Sequence, residues 1–389
     1  MLIIQVSFKK IKGIVMKGTL IDYFISLIEI DSESKNEKVV ALKIAEDLRN
    51  LGAEVIFDNA HEKTGGNVGN LYGYFNGNIN KKPILFCAHM DTVVPGIGIK
   101  PQITEDRIIT DGTTILGADD KSGIAEIIWA IKEILESNED HAPIEVLFTI
   151  SEEIGLLGAK LFDLTRIKSE FGYVLDSHDI GNLVSGAPAA NRMKYTIHGK
   201  ESHAGAAPEQ GISAIQIAAE AISKMTLGRI DEETTCSVGS IKGGTATNII
   251  PKEVVLKAEV RSHNEDKLKK ITDDITAALV DTAAKYKLGD FQASVESVIQ
   301  KEYPAFVINN NDRSMLLAKK ANKNIGIPFK SEIGGGGSDA NIFNFKGLEM
   351  AVVGSGMADV HTVNEYIKLV DLENGTKWVK EIIREYSKE

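Results

Sequence analysis

Apolar positions along the chain switch between two periods. Over residues 20–28, and again over 37–51 through Val39, Val40, Leu42, Ile44, Ala45 and Leu48, they recur every three or four residues, which predicts two amphipathic helices. Gly52 stops the second. Short apolar runs at 54–58, 70–74 and 83–88, set off by turn-forming residues, predict strands. Residues 92–114 are rich in Pro, Gly and Asp and predict a loop with a short hairpin. A buried helix is predicted from about Lys121, through Ile124, Ala125, Ile127, Ile128, Ile131, Ile134 and Leu135. Strands follow at 144–150, 173–175 and 350–353. Strands alternating with helices imply an α/β domain whose mainly parallel sheet is covered by helices on both faces.

The pattern changes near Gly186. Residues 191–198 alternate like a half-exposed strand, 212–225 form a helix, 235–241 and 254–261 are strands, 266–286 is a helix and 291–299 a strand. That order is ferredoxin-like. It predicts an α+β domain at 188–300 inserted into a larger domain at 1–187 and 301–389. Helices are predicted at 313–325 and 370–386, the last packing back on the first sheet.

Composition narrows the function classes. A chain of 389 residues suits two domains. Its net charge of −11 argues against nucleic acid or an anionic membrane as the main partner. Two cysteines, Cys87 and Cys236, fall far apart in predicted strands and point to a reducing, cytoplasmic setting. No apolar run approaches the roughly 20 residues that span a bilayer. The first ten residues make a poor signal peptide, and either Met1 or Met16 can be the start.

Chemistry-bearing residues cluster where the predicted strands end. Asp119 and Asp120 lie between Gly117 and Gly123 at the mouth of a helix, where backbone N–H groups favour negative charge. Two adjacent carboxylates repel unless a cation neutralises them. An acidic loop that only caps a helix would look the same. His89 and Asp91 follow one strand, Glu152 and Glu153 another, Asp176 a third, and His361 lies beyond the fourth. Open α/β sheets gather ligands at such ends. His89, Asp119, Glu153, Asp176 and His361 make a candidate ligand set. Histidine and carboxylate without thiolate suit zinc, cobalt or manganese, and two ions ~3.5–4 Å apart under a shared carboxylate are a catalytic arrangement. Of the adjacent pair Glu152–Glu153, one can bind metal while the other acts as a base.

These residues resemble the M20 metallopeptidases, and within them the peptidase T (tripeptidase)-like branch. The matching segments are 88–92, 117–121, 149–155, 174–176, 198–205, 243–251 and 361–365, in the family's order along nearly the whole chain. The resemblance implies two divalent ions, Zn2+ with Co2+ or Mn2+ as alternatives. His89 and Asp176 would hold one, Glu153 and His361 the other, and Asp119 would bridge them; the peptide between Asp119 and Asp120 would be cis. Asp91 would orient His89, and Glu152 would be the general base for a metal-activated water. His203, in the inserted domain, would reach the active site of a partner subunit and stabilise the oxyanion. Asn248 and Arg261 would hold polar groups of a short peptide substrate, and the run around Gly336 would let backbone approach it. The implied protein is a cytoplasmic, homodimeric aminopeptidase. An amidohydrolase of the same fold acting on N-acyl amino acids would share the metal site, and a non-catalytic peptide or metal binder would have no use for Glu152. Two departures bear on specificity. His178 follows Asp176 where relatives carry small residues, and either lines the pocket or is inert. The glycine run lacks the arginine that precedes it in tripeptidases.

Overall fold

The computed structural model describes residues 18–389, so the alternative starts at Met1 and Met16 lie outside the described residues. The chain divides into two compact units. The first holds the described residues through Leu183 together with Asn310–Ser331 and Leu348–Glu389. The second holds Val184–Asn309 and Glu332–Gly347.

In the first unit the strands lie in the order Glu54–Phe57, Leu71–Phe75, Ile144–Thr149, Ile84–His89, Phe171–Ser177, Glu349–Gly354. The last four run parallel, with Ala88 beside Phe148, Cys87 beside Val174 and Val353 beside Leu175. Ile84–His89 and Ile144–Thr149 are buried at every position, as expected of strands covered on both faces. The sheet is mixed rather than mainly parallel at one edge. Leu71–Phe75 pairs antiparallel with both of its neighbours. A parallel neighbour needs a crossover helix, and only the four-residue turn His61–Thr64 lies between the first two strands.

The helix Ala118–Ser137 is buried along almost its whole length. Gly123 explains how close it comes: a Cβ there would lie 2.5 Å from the Leu175 carbonyl oxygen. The C-terminal helix, Leu369–Lys388, packs on it and on the sheet. Trp378 from that helix meets Tyr173 edge-on, with ring centroids 5.1 Å apart, and donates its indole N–H to Asn322 Oδ1 at 2.6 Å. No described helix is long and apolar enough to cross a membrane.

The second unit carries an antiparallel sheet ordered Thr234–Gly243, Glu253–Ser262, Ala189–His198, Ser294–Tyr303. That is the ferredoxin-like order expected from the alternation. Helices Ala214–Ile222 and Glu265–Ala283 pack together and close its core, with Ile217, Ala218, Ile275 and Leu279 buried against Tyr195, Leu256 and Val260. The final strand is split at Ala293, so the expected single strand over 291–299 is two pieces. Cys87 and Cys236 are buried and neither is in a disulfide.

Replacing Trp378 with Ala removes a buried ring and its hydrogen bond together. The loss expected is about 3–5 kcal/mol. Urea denaturation of the variant against the parent chain measures it.

Candidate metal centre

The four parallel strands place their C-terminal ends along one edge, and the candidate ligands gather there. His89 ends its strand. After Thr149 the chain turns through Ser151, at φ +53°, to present Glu152 and Glu153. Asp176 is the next-to-last residue of Phe171–Ser177. His361 stands at φ +62° on the turn after Met357–Ala358. Asp119 arrives from the start of the long helix. Asp119 and Asp120 have non-helical backbone angles, so regular helix begins after them, as the apolar spacing predicts. The peptide between them is cis.

One carboxylate faces two imidazoles. His89 Nε2 lies 3.0 Å from Asp119 Oδ1, and His361 Nε2 lies 3.1 Å from Asp119 Oδ2. His361 Nε2 is also 3.0 Å from Glu153 Oε1. The other nitrogen of His89, Nδ1, is 2.9 Å from the Asp91 carbonyl oxygen. A carbonyl only accepts, so Nδ1 carries a proton; the Asp119 carboxylate that Nε2 faces is likewise an acceptor. His89, Asp119 and Asp176 offer donor atoms all within 4.8 Å of one another, as do Asp119, Glu153 and His361, and also His89, Glu152 and Glu153. The first two groups share Asp119. Imidazole and carboxylate donors at this spacing fit a pair of divalent cations of the zinc, cobalt or manganese type.

Electrostatics follow from the crowding. Burial opposes charge on Asp119, but its hydrogen bonds with His361 and His89 outweigh that and hold its carboxyl below the usual range. Burial, aided by the charges of Asp176 and Asp119, holds Asp120 well above it. Burial also raises Glu153.

Backbone N–H groups hold the acids that hold the ligands. Asp91 Oδ1 accepts from Glu152 N at 2.9 Å, and Oδ2 accepts from Glu153 N at 3.3 Å and from the Ser34 hydroxyl at 2.6 Å. Asp91 therefore steadies His89 through its carbonyl and the Glu152–Glu153 turn through its carboxylate. Glu37 Oε1 accepts from Lys35 N at 2.8 Å and from the Ser151 N–H and hydroxyl, both at 3.0 Å. Glu365 accepts from three backbone N–H groups around Asp119. Lys121 is fully buried, donates to the Ile30 carbonyl at 2.7 Å, and is pushed down to about 7 by burial. Sequence reading assigned no role to Glu37, Glu365 or Lys121. Glu365 stands inside the matched 361–365 segment, and its buried neighbourhood was the missing signal.

The remaining expected residues belong to the second unit. His203 pairs in a short two-stranded ladder with Ile249, and Ala204 N donates to the Asn248 carbonyl at 2.9 Å. His203 Nδ1 accepts from Gly205 N and Ala206 N at 3.2 and 3.0 Å, which puts its proton on the exposed Nε2. Arg261 pairs with Glu259 at 2.6 Å and donates to the Gly335 carbonyl at 3.3 Å. With Arg229, His263 and Lys267 it lines a cavity of about 860 Å³. A Cβ on Gly336 would meet nothing within 4 Å, whereas one on Gly337 would strike the Tyr303 ring at 2.4 Å, so packing explains the second glycine and not the first. In the first unit, His178 lines a separate cavity of about 720 Å³ with Tyr366, Asp371 and Asn374, and its Nδ1 is 3.3 Å from the Met357 carbonyl oxygen. It belongs to none of the donor groups.

The chain is similar to known peptidases. A family model described as a peptidase dimerisation domain matches residues 188–287, and one described as peptidase family M28 matches residues 70–191. An uncharacterised protein of Bacillus subtilis strain 168, YqjE, is 41% identical over 370 residues, covering 95% of this chain and 98% of that protein. The crystal structure of aminopeptidase PepT from Bacillus cereus ATCC 10987 is 40% identical, with a TM-score of 0.84 over 94% of this chain and 97% of that one. A tripeptidase structure from Staphylococcus aureus subsp. aureus Mu50 is 37% identical, with a TM-score of 0.89 over 95% and 98%.

In the metal-free protein, hydrogen bonds from His361 to Asp119 and then Glu153 raise the imidazole from 6.5 to about 10. A histidine raised on folding adds stability that is fully present below its unfolded value and lost as pH rises through the folded one. Metal-free protein is expected to lose stability between about pH 6.5 and 10, and His361→Ala to flatten that part of the curve. Denaturation midpoints across a pH series provide the check.

Proposed function

Because the chain belongs to the M20 peptidase family, on its peptidase T-like branch, we propose that it is a dinuclear-metal exopeptidase that removes N-terminal residues from short peptides. The observation that carries the reading is Asp119, whose two oxygens face different imidazoles at 3.0 and 3.1 Å. In the proposal His89 and Asp176 hold one cation, Glu153 and His361 the other, and Asp119 both. Zinc suits this donor set, and cobalt or manganese can replace it. The pair of cations, when bound, acidifies water and polarises the scissile carbonyl.

The chain's own groups supply the rest. Glu152 is buried beside the ligands, with its backbone N–H fixed on Asp91, and is the general base that moves a proton from the attacking water to the leaving amine. His203, protonated at Nε2, is the donor for the developing oxyanion. Arg261, Asn248 and the open backbone at Gly336 receive polar groups of the peptide. The match to a dimerisation domain supports a homodimer formed through the second unit.

A hydrolysis screen tests the assignment. Tri- and dipeptides with a free amino terminus should be cleaved and N-acetylated amino acids left intact. The opposite preference would make the protein an amidohydrolase instead. Chelation is expected to abolish turnover and added Zn2+, Co2+ or Mn2+ to restore it. Glu152→Gln should lower kcat about 10²- to 10⁴-fold with its metal content unchanged. Undiminished kcat in that variant removes Glu152 from the mechanism.

A further inference from the structure

Glu365 lies four residues past His361 and is 1% exposed. Its Oε2 accepts from Leu116 N at 2.7 Å and Gly117 N at 2.8 Å, and its Oε1 accepts from Asp119 N at 2.9 Å. Both oxygens are thus committed to a segment some 250 residues away in sequence, as the separations of 249, 248 and 246 residues show. Gly117, at φ +76°, sits in the left-handed region, so the backbone curls its N–H groups toward one point. Hydrogen bonds from N–H to an ionised carboxylate are the strong kind, and three of them on one group fix its partner in three dimensions.

The other end of Glu365 is fixed as well. Its own N–H donates to the Thr362 carbonyl at 3.2 Å. The Thr362 hydroxyl donates to the Asp359 carbonyl at 2.7 Å and accepts from Asn364 N at 3.1 Å. These bonds close the turn that carries His361. The turn with His361 and the loop with Asp119 are therefore joined through a single side chain. No other side chain among the hydrogen bonds described links these two segments in this way, apart from the direct His361–Asp119 contact.

We propose that Glu365 is a positioning residue that sets the distance between Asp119 and His361, and with it the geometry of the second cation site. The inference rests on the dinuclear reading above. It assigns Glu365 no contact with substrate or cation. Its chemistry is specific: only an acceptor at both oxygens satisfies three converging N–H groups. A glutamine presents an NH2 where an N–H already points, and an aspartate keeps the charge but is one methylene short.

Full-length protein, stripped of metal and titrated with Zn2+ against a chromophoric chelator, tests this. The parent chain should bind two ions. Glu365→Gln should bind the first as the parent does and the second about 10- to 100-fold more weakly. Its kcat should fall while KM for a short peptide holds, because the peptide does not touch this residue. With Mn2+ in place of Zn2+, the spin coupling between the two ions seen by electron paramagnetic resonance should weaken. Two-ion binding at parental affinity in Glu365→Gln overturns the proposal. So does equal weakening of both sites together with a matching loss of metal-free thermal stability, which would mark general damage. If the glutamine variant does not fold, Glu365→Asp carries the same titration, and parental affinity for both ions again overturns it. A parent chain that binds fewer than two ions sinks the dinuclear reading itself, which the titration of the unmodified protein reads separately.

Discussion

The arrangement turns on a single carboxylate shared between two imidazoles. Asp119 is common to two of the three donor groups, and each of its oxygens faces a histidine from a different part of the chain. Such a bridge works only if the carboxylate cannot swing. Asp119 has one side-chain torsion before its carboxyl group, so its aim is decided by the backbone that bears it. That backbone leaves the helical region at Asp119 and Asp120 and becomes regular just after them. Gly123 then lets the helix lie directly against the strand that ends in Asp176. The close approach of helix to strand is what brings Asp119 and Asp176 to one side of His89.

Packing acids this densely without bound cations sets a second constraint. Like charges at short range raise each other's cost, and burial adds to it. The protein meets the problem mostly with peptide N–H groups. Asp91, Glu37 and Glu365 each accept from two or more of them. Buried ammonium groups are scarce here, Lys121 being held low by its own burial. Fixed peptide dipoles keep the turns in place without cancelling the negative charge of the clustered carboxylates. Arginine or lysine at the same points would instead pair with the candidate ligands.

Much of this was legible from residue order. The C-terminal ends of four apolar runs mark where the candidate ligands gather, because a parallel sheet puts those ends on one edge. Apolar spacing located the start of regular helix after Asp120, and alternation located the ferredoxin-like order of the second unit. Family resemblance, rather than spacing, supplied the division of labour among the ligands. The antiparallel edge at Leu71–Phe75 was not legible, since its direction depends on the length of its connections rather than on its own residues. The strand Asn182–Ala187 and the helix Asp339–Phe345 were also missed. One is rich in small residues and the other too short for a periodic signal. Glu37 and Glu365 read as ordinary polar loop residues, because nothing in a sequence marks a glutamate whose partners are peptide N–H groups brought near only by folding.

The donors are spread widely along the chain. His89, Asp119 and Asp176 all precede the second unit, whereas His361 follows it. The proposed centre is therefore discontinuous in sequence: one donor group is complete before the second unit begins, and the group that includes His361 is completed only by the segment that follows it.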